Sequence, residues 1–145
     1  MIFFEITDDY IAAAALTEAA YLDTAWSEKQ IKEAMLNGDT MYLVAVKDNI
    51  LCGVASCVFS MYEAMIENLA VSEEYRRFGI ATELLRLIET EAKHRELEQL
   101  SLEVASKNTA AIALYESRGY KKAGIRKGFY SKQKDDALVM IKEIL

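Results

Sequence analysis

The hydrophobic pattern changes its period near the middle of the chain. From Glu63 to Val71 the residues form a strand-like run in which Ile66, Leu69, Ala70 and Val71 are apolar. After a short polar turn, Leu84, Leu85, Ile88 and Ala92 recur at helical spacing, with Glu83, Arg86, Glu89 and Lys93 interleaved. This predicts an amphipathic helix opened by Arg76 to Thr82. Upstream, Phe3, Phe4 and Ile6 read as a strand, and Asp8 or Asp9 can cap an alanine-rich helix from Tyr10 to about Leu22. Leu22 to Trp26 reads as a loop. Ser27 and Gln30 make a capping box for a second helix, which Gly38 is expected to stop as its C′ residue. Met41–Val46 and Ile50–Phe59 flank the turn Lys47-Asp48-Asn49 as a hairpin. Downstream, Leu100, Leu102 and Val104 alternate with Ser101 and Glu103 as a strand. Asn108 then caps a helix from Thr109 to Ser117, ended by Gly119. Tyr120–Ile125 and Ala137–Ile141 are the last two strands, and Arg126 to Asp136 is expected as a polar loop carrying Phe129 and Tyr130.

Helices interspersed among strands, with no proline, repeat, linker or low-complexity tract, imply one mixed α/β domain over residues 1–145. The 52% hydrophobic and 28% charged content is that of a globular chain, and no apolar run reaches membrane-spanning length. The N-terminal MIFFEITDD is acidic and short, unlike a secretory signal, so a cytoplasmic setting is expected. A net charge of −6 argues against direct nucleic-acid binding and favours a cationic partner. Cys52 and Cys57 are an odd number of residues apart along one strand, which predicts opposite faces and no disulfide. With His94 the only histidine, no multi-histidine metal site can form, and none is expected. Near a helix end among charges, His94 reads as a solvated or dipole-capping residue.

Candidate chemistry lies in three stretches. A helix start presents unpaired N–H groups and a positive dipole end, Gly79 admits close backbone approach, and Arg76 and Arg77 add mobile positive charge. Arg76 to Thr82 can therefore cradle a pyrophosphate; the same residues also suit an ordinary solvated helix start. The spacing is neither a P-loop nor a dinucleotide fingerprint. Glu103 faces away from Leu102 and Val104, either as a site carboxylate or as a solvated strand glutamate. Tyr115 is either a site phenol or a core aromatic with its hydroxyl at an edge.

The stretch Arg-x-x-Gly-x-Ala (Arg76 to Ala81) after a strand resembles the acyl-CoA motif of the GNAT superfamily of N-acetyltransferases. Glu103-Val-x-x-x-Asn108-x-x-Ala-Ile-x-Leu-Tyr115-Glu-x-x-Gly119-Tyr is similar, more specifically, to the bacterial ribosomal-protein alanine N-acetyltransferases. Similarity continues through Ile125-Arg126-Lys127-Gly-Phe129-Tyr130 and includes Trp26-Ser27. The chain departs from that family at Ala25, where proline is usual, at Phe129, where tyrosine is usual, and at Ala81, where many members carry glycine and alanine is accepted.

The resemblance implies a central, mostly antiparallel mixed sheet flanked by helices, and acetyl-CoA as co-substrate without a metal. It implies that Leu69, Ala70 and Val71 face the pantetheine arm and the thioester. Arg76, Arg77, Phe78, Gly79, Ile80, Ala81 and Thr82 would hold the pyrophosphate, and Asn108 would touch the pantetheine end. Glu103 would be the general base and Tyr115 the general acid. The implied acceptor is the N-terminal alanine of a small-subunit ribosomal protein, a basic peptide. Trp26 and Tyr130 would either wall its groove or pack as ordinary loop aromatics, and Asp23, Glu28 and Glu33 would form an acidic rim. These residue types fit the reaction. A peptide α-amine with a pKa of about 8 must lose a proton before it attacks, and a phenol with a pKa of about 10 can protonate a leaving thiolate. Partial burial of Glu103 would make it a better base. Acetylation of other protein N-termini or small amines, and an acyl-CoA-binding module without turnover, are the alternative functions. The oligomeric state is not legible.

Overall fold

The computed structural model describes the backbone of residues 1–21, 26–130 and 135–145, and the side chains of residues 1–17, 26–127 and 136–145. In chain order the elements are β1 (Ile2–Ile6), α1 (Tyr10–Tyr21), α2 (Glu28–Leu36), β2 (Thr40–Lys47), β3 (Ile50–Phe59), β4 (Glu63–Val71), α3 (Ile80–His94), β5 (Gln99–Ala105), α4 (Thr109–Ser117), β6 (Lys121–Tyr130) and β7 (Asp135–Glu143). A single turn of 3-10 helix, Glu73–Tyr75, precedes α3.

The strands form one 7-stranded sheet in the order β1-β2-β3-β4-β5-β7-β6. Every pairing is antiparallel except that of β4 with β5. A parallel pair needs a crossover, and α3 supplies it. The α3 residues Ile80, Leu84, Leu85, Ile88 and Ala92 pack with Tyr115 of α4 and with Ile66, Leu100, Leu102 and Val104 of the sheet. On the other face, Ala13, Ala14 and Leu16 of α1 and Ile31 of α2 meet Tyr42, Val44, Val54 and Ala70. The central strands are thus covered on both faces, which is why β2 and β3 read as nearly continuous apolar runs.

Local signals behave as their chemistry requires. The Ser27–Gln30 capping box is formed, with Gln30 N–H donating to Ser27 Oγ at 3.2 Å and Ser27 N–H donating to Gln30 Oε1 at 2.8 Å. Asp48 and Asn49 both take left-handed φ values, 53° and 64°, the mirror-image turn whose twist suits a two-residue hairpin. Gly119 ends α4 with φ 94°.

Three expectations are corrected. Gly38 holds the expected C′ place after the C-cap Asn37 but is not left-handed; the extended Asn37 makes the stop, its N–H donating to the Ala34 carbonyl. The segment expected as a polar loop is largely strand, because β6 runs on to Tyr130 and β7 begins at Asp135. β6 is the sheet edge and residues 121–127 are all exposed, so no alternation of buried and polar positions marks it. Cys52 and Cys57 are both buried free thiols, but they belong to the same core cluster. A register shift pairs Val46 with Leu51 and Ala45 with Gly53, leaving Cys52 as an extra residue that resets the alternation.

Gly53 has a packing role that its sequence context conceals. A Cβ there would lie 2.8 Å from Ile80 Cγ2 and 3.3 Å from Leu84 Cδ1. Its bare backbone lets the first turn of α3 settle directly onto the sheet.

Candidate functional site

β4 and β5 are paired only from Glu63–Gln99 to Ile66–Leu102. β4 continues to Val71 and β5 to Ala105, so the two strands part beyond that point. A bulge sits at the fork. Ser56 pairs with Asn68 and Cys57 with Ile66, leaving Glu67 as the extra residue on β4. A bulge bends its strand and ends regular pairing. The gap between the parted strands opens into a cavity of about 800 Å³, continued between α3 and α4.

One end of the cavity is the start of α3. Gly79 is the N-cap residue with φ 74° and gives the first turn no side-chain cap. Arg77 is also left-handed, with φ 72°. A non-glycine residue in that region costs about 1–2 kcal/mol, which the surrounding fold must offset. The N–H groups of Ile80, Ala81 and Thr82 therefore remain as donors, with exposed Arg76 and Arg77 beside them. Gly79 is needed for its φ: a Cβ there would meet nothing within 4 Å. This donor set suits a pyrophosphate.

Leu69, Ala70 and Val71 line the middle of the cavity. Ser72 N–H donates to the Cys52 carbonyl at 2.9 Å. Backbone direction alternates along a strand, so the Val71 N–H turns the other way, toward the gap where β5 no longer pairs. It is a preformed donor for an oxygen lodged there.

Glu103, Asn108 and Tyr115 line the same cavity. Leu102 and Val104 are committed to the α3 side of the core, which directs Glu103 to the opposite face. Its Oε1 accepts from Arg126 Nη1 of β6 at 2.6 Å. Asn108 caps α4 by accepting from Ala111 N–H at 3.2 Å, which uses its carbonyl oxygen and leaves its amide NH₂ for the cavity. Tyr115 is 7% exposed and packs edge-on against Tyr120, with ring centroids 5.9 Å apart. Tyr120 is itself pinned, its hydroxyl donating to Glu89 Oε2 at 3.0 Å. Glu89, buried on α3, also pairs with Arg118 and with Lys142. Burial and the Glu89 carboxylate push the Tyr120 phenol pKa well upward, so it stays a donor.

The cavity thus gathers the predicted residues Leu69, Ala70, Val71, Arg76, Arg77, Gly79, Ile80, Ala81, Thr82, Glu103, Asn108 and Tyr115. It does not include Phe78, which is 57% exposed, 6.4 Å from the Tyr75 ring and beneath the Lys47 ammonium. Nor does it include Trp26, which is partly buried against the core beneath α1 and α2. The Tyr130 and Phe129 side chains and residue Asp23 lie outside the described residues. Glu28 and Glu33 are exposed on α2. Tyr75 and Lys107 line the cavity without having been singled out, because each looks like an ordinary surface residue. Burial raises the pKa of a carboxylate that sequence reasoning passed over, Glu67. Among the described residues no cluster of three or more His, Cys, Asp or Glu converges on a metal position.

The chain is similar to known proteins over most of its length. Residues 4–120 match the profile of the acetyltransferase (GNAT) family. The [ribosomal protein bS18]-alanine N-acetyltransferase of Escherichia coli (strain K12) is 33% identical over 138 residues, covering 92% of this chain and 90% of that protein. The crystal structure of the ribosomal-protein-S18-alanine N-acetyltransferase from E. coli superposes with a TM-score of 0.91 at 30% identity, over 99% of this chain and 94% of that one. The fold is also that of a GNAT family acetyltransferase from Elizabethkingia anophelis with acetyl-CoA bound, at TM-score 0.82 and 20% identity, over 99% of this chain and 98% of that one.

Proposed function

The chain belongs to the acetyltransferase (GNAT) family and is an N-acetyltransferase, and on that premise we propose that it moves the acetyl group of acetyl-CoA onto the α-amine of an N-terminal alanine of a small-subunit ribosomal protein. The observation that carries this reading is the continuity of the cavity. An anion cradle at the start of α3, an unpaired strand edge, and Glu103, Asn108 and Tyr115 lie along one path. The names of the E. coli relatives supply the acceptor.

Acetyl-CoA supplies an acetyl group activated as a thioester. The α3 N–H groups, with Arg76 and Arg77, hold its pyrophosphate by charge-assisted hydrogen bonds. Leu69 to Val71 and the Asn108 amide hold its pantetheine arm. Glu103 takes the proton of the acceptor's ammonium, which frees the nitrogen lone pair for attack. Arg126 occupies Glu103 Oε1, so the proton is taken on Oε2 or after Arg126 swings away. The Val71 N–H donates to the carbonyl oxygen as it gains charge. Tyr115 gives its hydroxyl proton to the departing sulfur. Transfer is direct: the new N–C bond forms as the C–S bond breaks, and no protein atom is acylated. A ribosomal-protein acceptor implies a cytoplasmic setting.

The test is to incubate the protein with acetyl-CoA and an arginine-rich peptide beginning with alanine, reading free thiol and peptide mass. Thiol release matched by a gain of one acetyl group on the peptide supports the reading. Preference for other N-termini or a polyamine would move the acceptor but keep the reaction. No thiol release with any amine, beside an active control enzyme, would leave an acyl-CoA-binding module.

A further inference from the structure

Glu67 and Glu103 occupy equivalent places on the two arms of the fork. The last parallel pair is Ile66 with Leu102, and each glutamate is the next residue along its strand. Glu103 is engaged by Arg126. Glu67 has no salt-bridge or hydrogen-bond partner among the described residues and is half-buried. Its neighbour Asn68 is 4% exposed and fixed on the α1–α2 face, donating to Ser56 Oγ at 2.9 Å and to the Tyr42 hydroxyl at 3.3 Å. Burial, and after it the Glu67 charge, raise the pKa of that Tyr42 phenol against the hydrogen bonds it shares with Ser56 and Asn68. Glu103 faces the same side of the sheet, away from α3.

We propose that Glu67 binds the ammonium group of the acceptor at the vertex of the fork, so that the amine is held between Glu67 and Glu103 before it reacts. The inference rests on reading the chain as an α-amine acetyltransferase and adds the residue that receives the amine. A carboxylate that is partly desolvated and lacks a cation is a group whose charge a ligand can complete. Burial raises the Glu67 pKa with no compensating partner among the described residues. The bulge marks the placement: a regular strand would have given this position a partner on β3, and Glu67 is instead the extra residue of β4, next to the last pair with β5. Glu67 takes no part in bond making. It pairs with the charged amine, and the pair is released when Glu103 removes the proton. A cationic acceptor is selected over a neutral nucleophile.

The experiment compares wild type, Glu67→Gln and Glu67→Asp in acetyl transfer to the alanine-initiated peptide at pH 7, with acetyl-CoA binding measured by calorimetry. Loss of a close charge pair should raise the peptide KM of Glu67→Gln by about tenfold or more, with Glu67→Asp in between and acetyl-CoA affinity within about twofold of wild type. The stability readout has a definite sign. A carboxyl whose pKa is raised by folding is stabilising when protonated, and that contribution is lost as pH rises through the folded value. At pH 7 the neutral amide therefore leaves the unliganded protein at least as stable as wild type, whereas disruption of a structural contact would lower its Tm. An unchanged peptide KM in an active Glu67→Gln enzyme overturns the assignment of Glu67 alone, as does a lowered Tm. If wild type transfers acetyl to no amine, the acetyltransferase reading falls and this inference with it.

Discussion

Replacing Glu89 by alanine should unfold the protein more readily than any surface substitution, and the structure sets the size of the effect. The Glu89 side chain is 4% exposed and accepts from three groups: Arg118 Nη2, Lys142 Nζ at 3.2 Å and the Tyr120 hydroxyl at 3.0 Å. Removing one partner of a buried ion pair costs about 3–5 kcal/mol, because the other charge stays buried. Arg118 and Lys142 retain 28% and 21% side-chain exposure, so water recovers part of that cost. The Tyr120 hydroxyl is buried and loses its acceptor, which adds about 1–3 kcal/mol. The sum should lie near 3–4 kcal/mol. Glu89→Gln keeps an acceptor for Tyr120 and loses only the charge, so it should cost about half as much. Equilibrium urea unfolding measures both. At a slope of about 2 kcal/mol per molar urea the alanine variant's midpoint should fall by about 1.5–2 M with the slope unchanged. A loss below about 1 kcal/mol would refute the reasoning, because the cluster would then gain no more from its ion pairs than it loses in desolvation.

Three further outcomes are expected. Gly53→Ala puts a methyl group against Ile80 and Leu84; it should cost about 1–3 kcal/mol and weaken acetyl-CoA binding severalfold by displacing the first turn of α3, as thermal unfolding and calorimetry would show. Tyr115→Phe should lower kcat by about a hundredfold while leaving acetyl-CoA affinity within about twofold, and an unchanged kcat would remove Tyr115 from the acid role. Burial pushes the Cys57 thiol up to about 12 and raises that of Cys52. At pH 8 the Cys57 thiolate is about one part in ten thousand. Ellman's reagent should therefore find two thiols in denaturant and almost none in the native protein, and rapid native labelling of either would contradict their burial.

The parts of the fold that were legible in the sequence are those whose causes are local. The α3 helix declares itself through Leu84, Leu85, Ile88 and Ala92, and its start, with the left-handed Gly79, through the preceding polar turn. The capping box at Ser27 and the cap at Asn108 are likewise confined to four residues each. What stayed hidden depends on register. The bulge at Cys52 sets both cysteines on one face, and no period in the sequence announces an extra residue. β6 could not be traced to its end because an exposed edge strand has no buried side to alternate with. Glu67 was invisible for the same reason as Cys52: its significance comes from a slip between Asn68 and Ile66 opposite β3. Arg126 was legible as a residue of the family pattern, but its grip on Glu103 crosses between strands far apart in sequence.

The two halves of the site therefore differ in how they are encoded, and the difference bears on specificity. The proposed donor end is one turn and one helix start, so few substitutions there would be compatible with binding a pyrophosphate. The proposed acceptor end lies where β4 and β5 part, at a single irregularity, where the extra residue Glu67 has three consequences. It bends β4 away from β5, it leaves the Val71 N–H facing the gap, and it puts a second glutamate next to the last parallel pair, as Glu103 is on β5. The first two consequences are backbone geometry and survive any side chain at position 67. The third depends on the side chain alone. Acceptor preference can change by substitution at that one position without disturbing either the oxyanion donor or the donor cradle, so related chains with the same bulge but a different residue there should keep acetyl-CoA use and differ in how strongly they hold a charged amine.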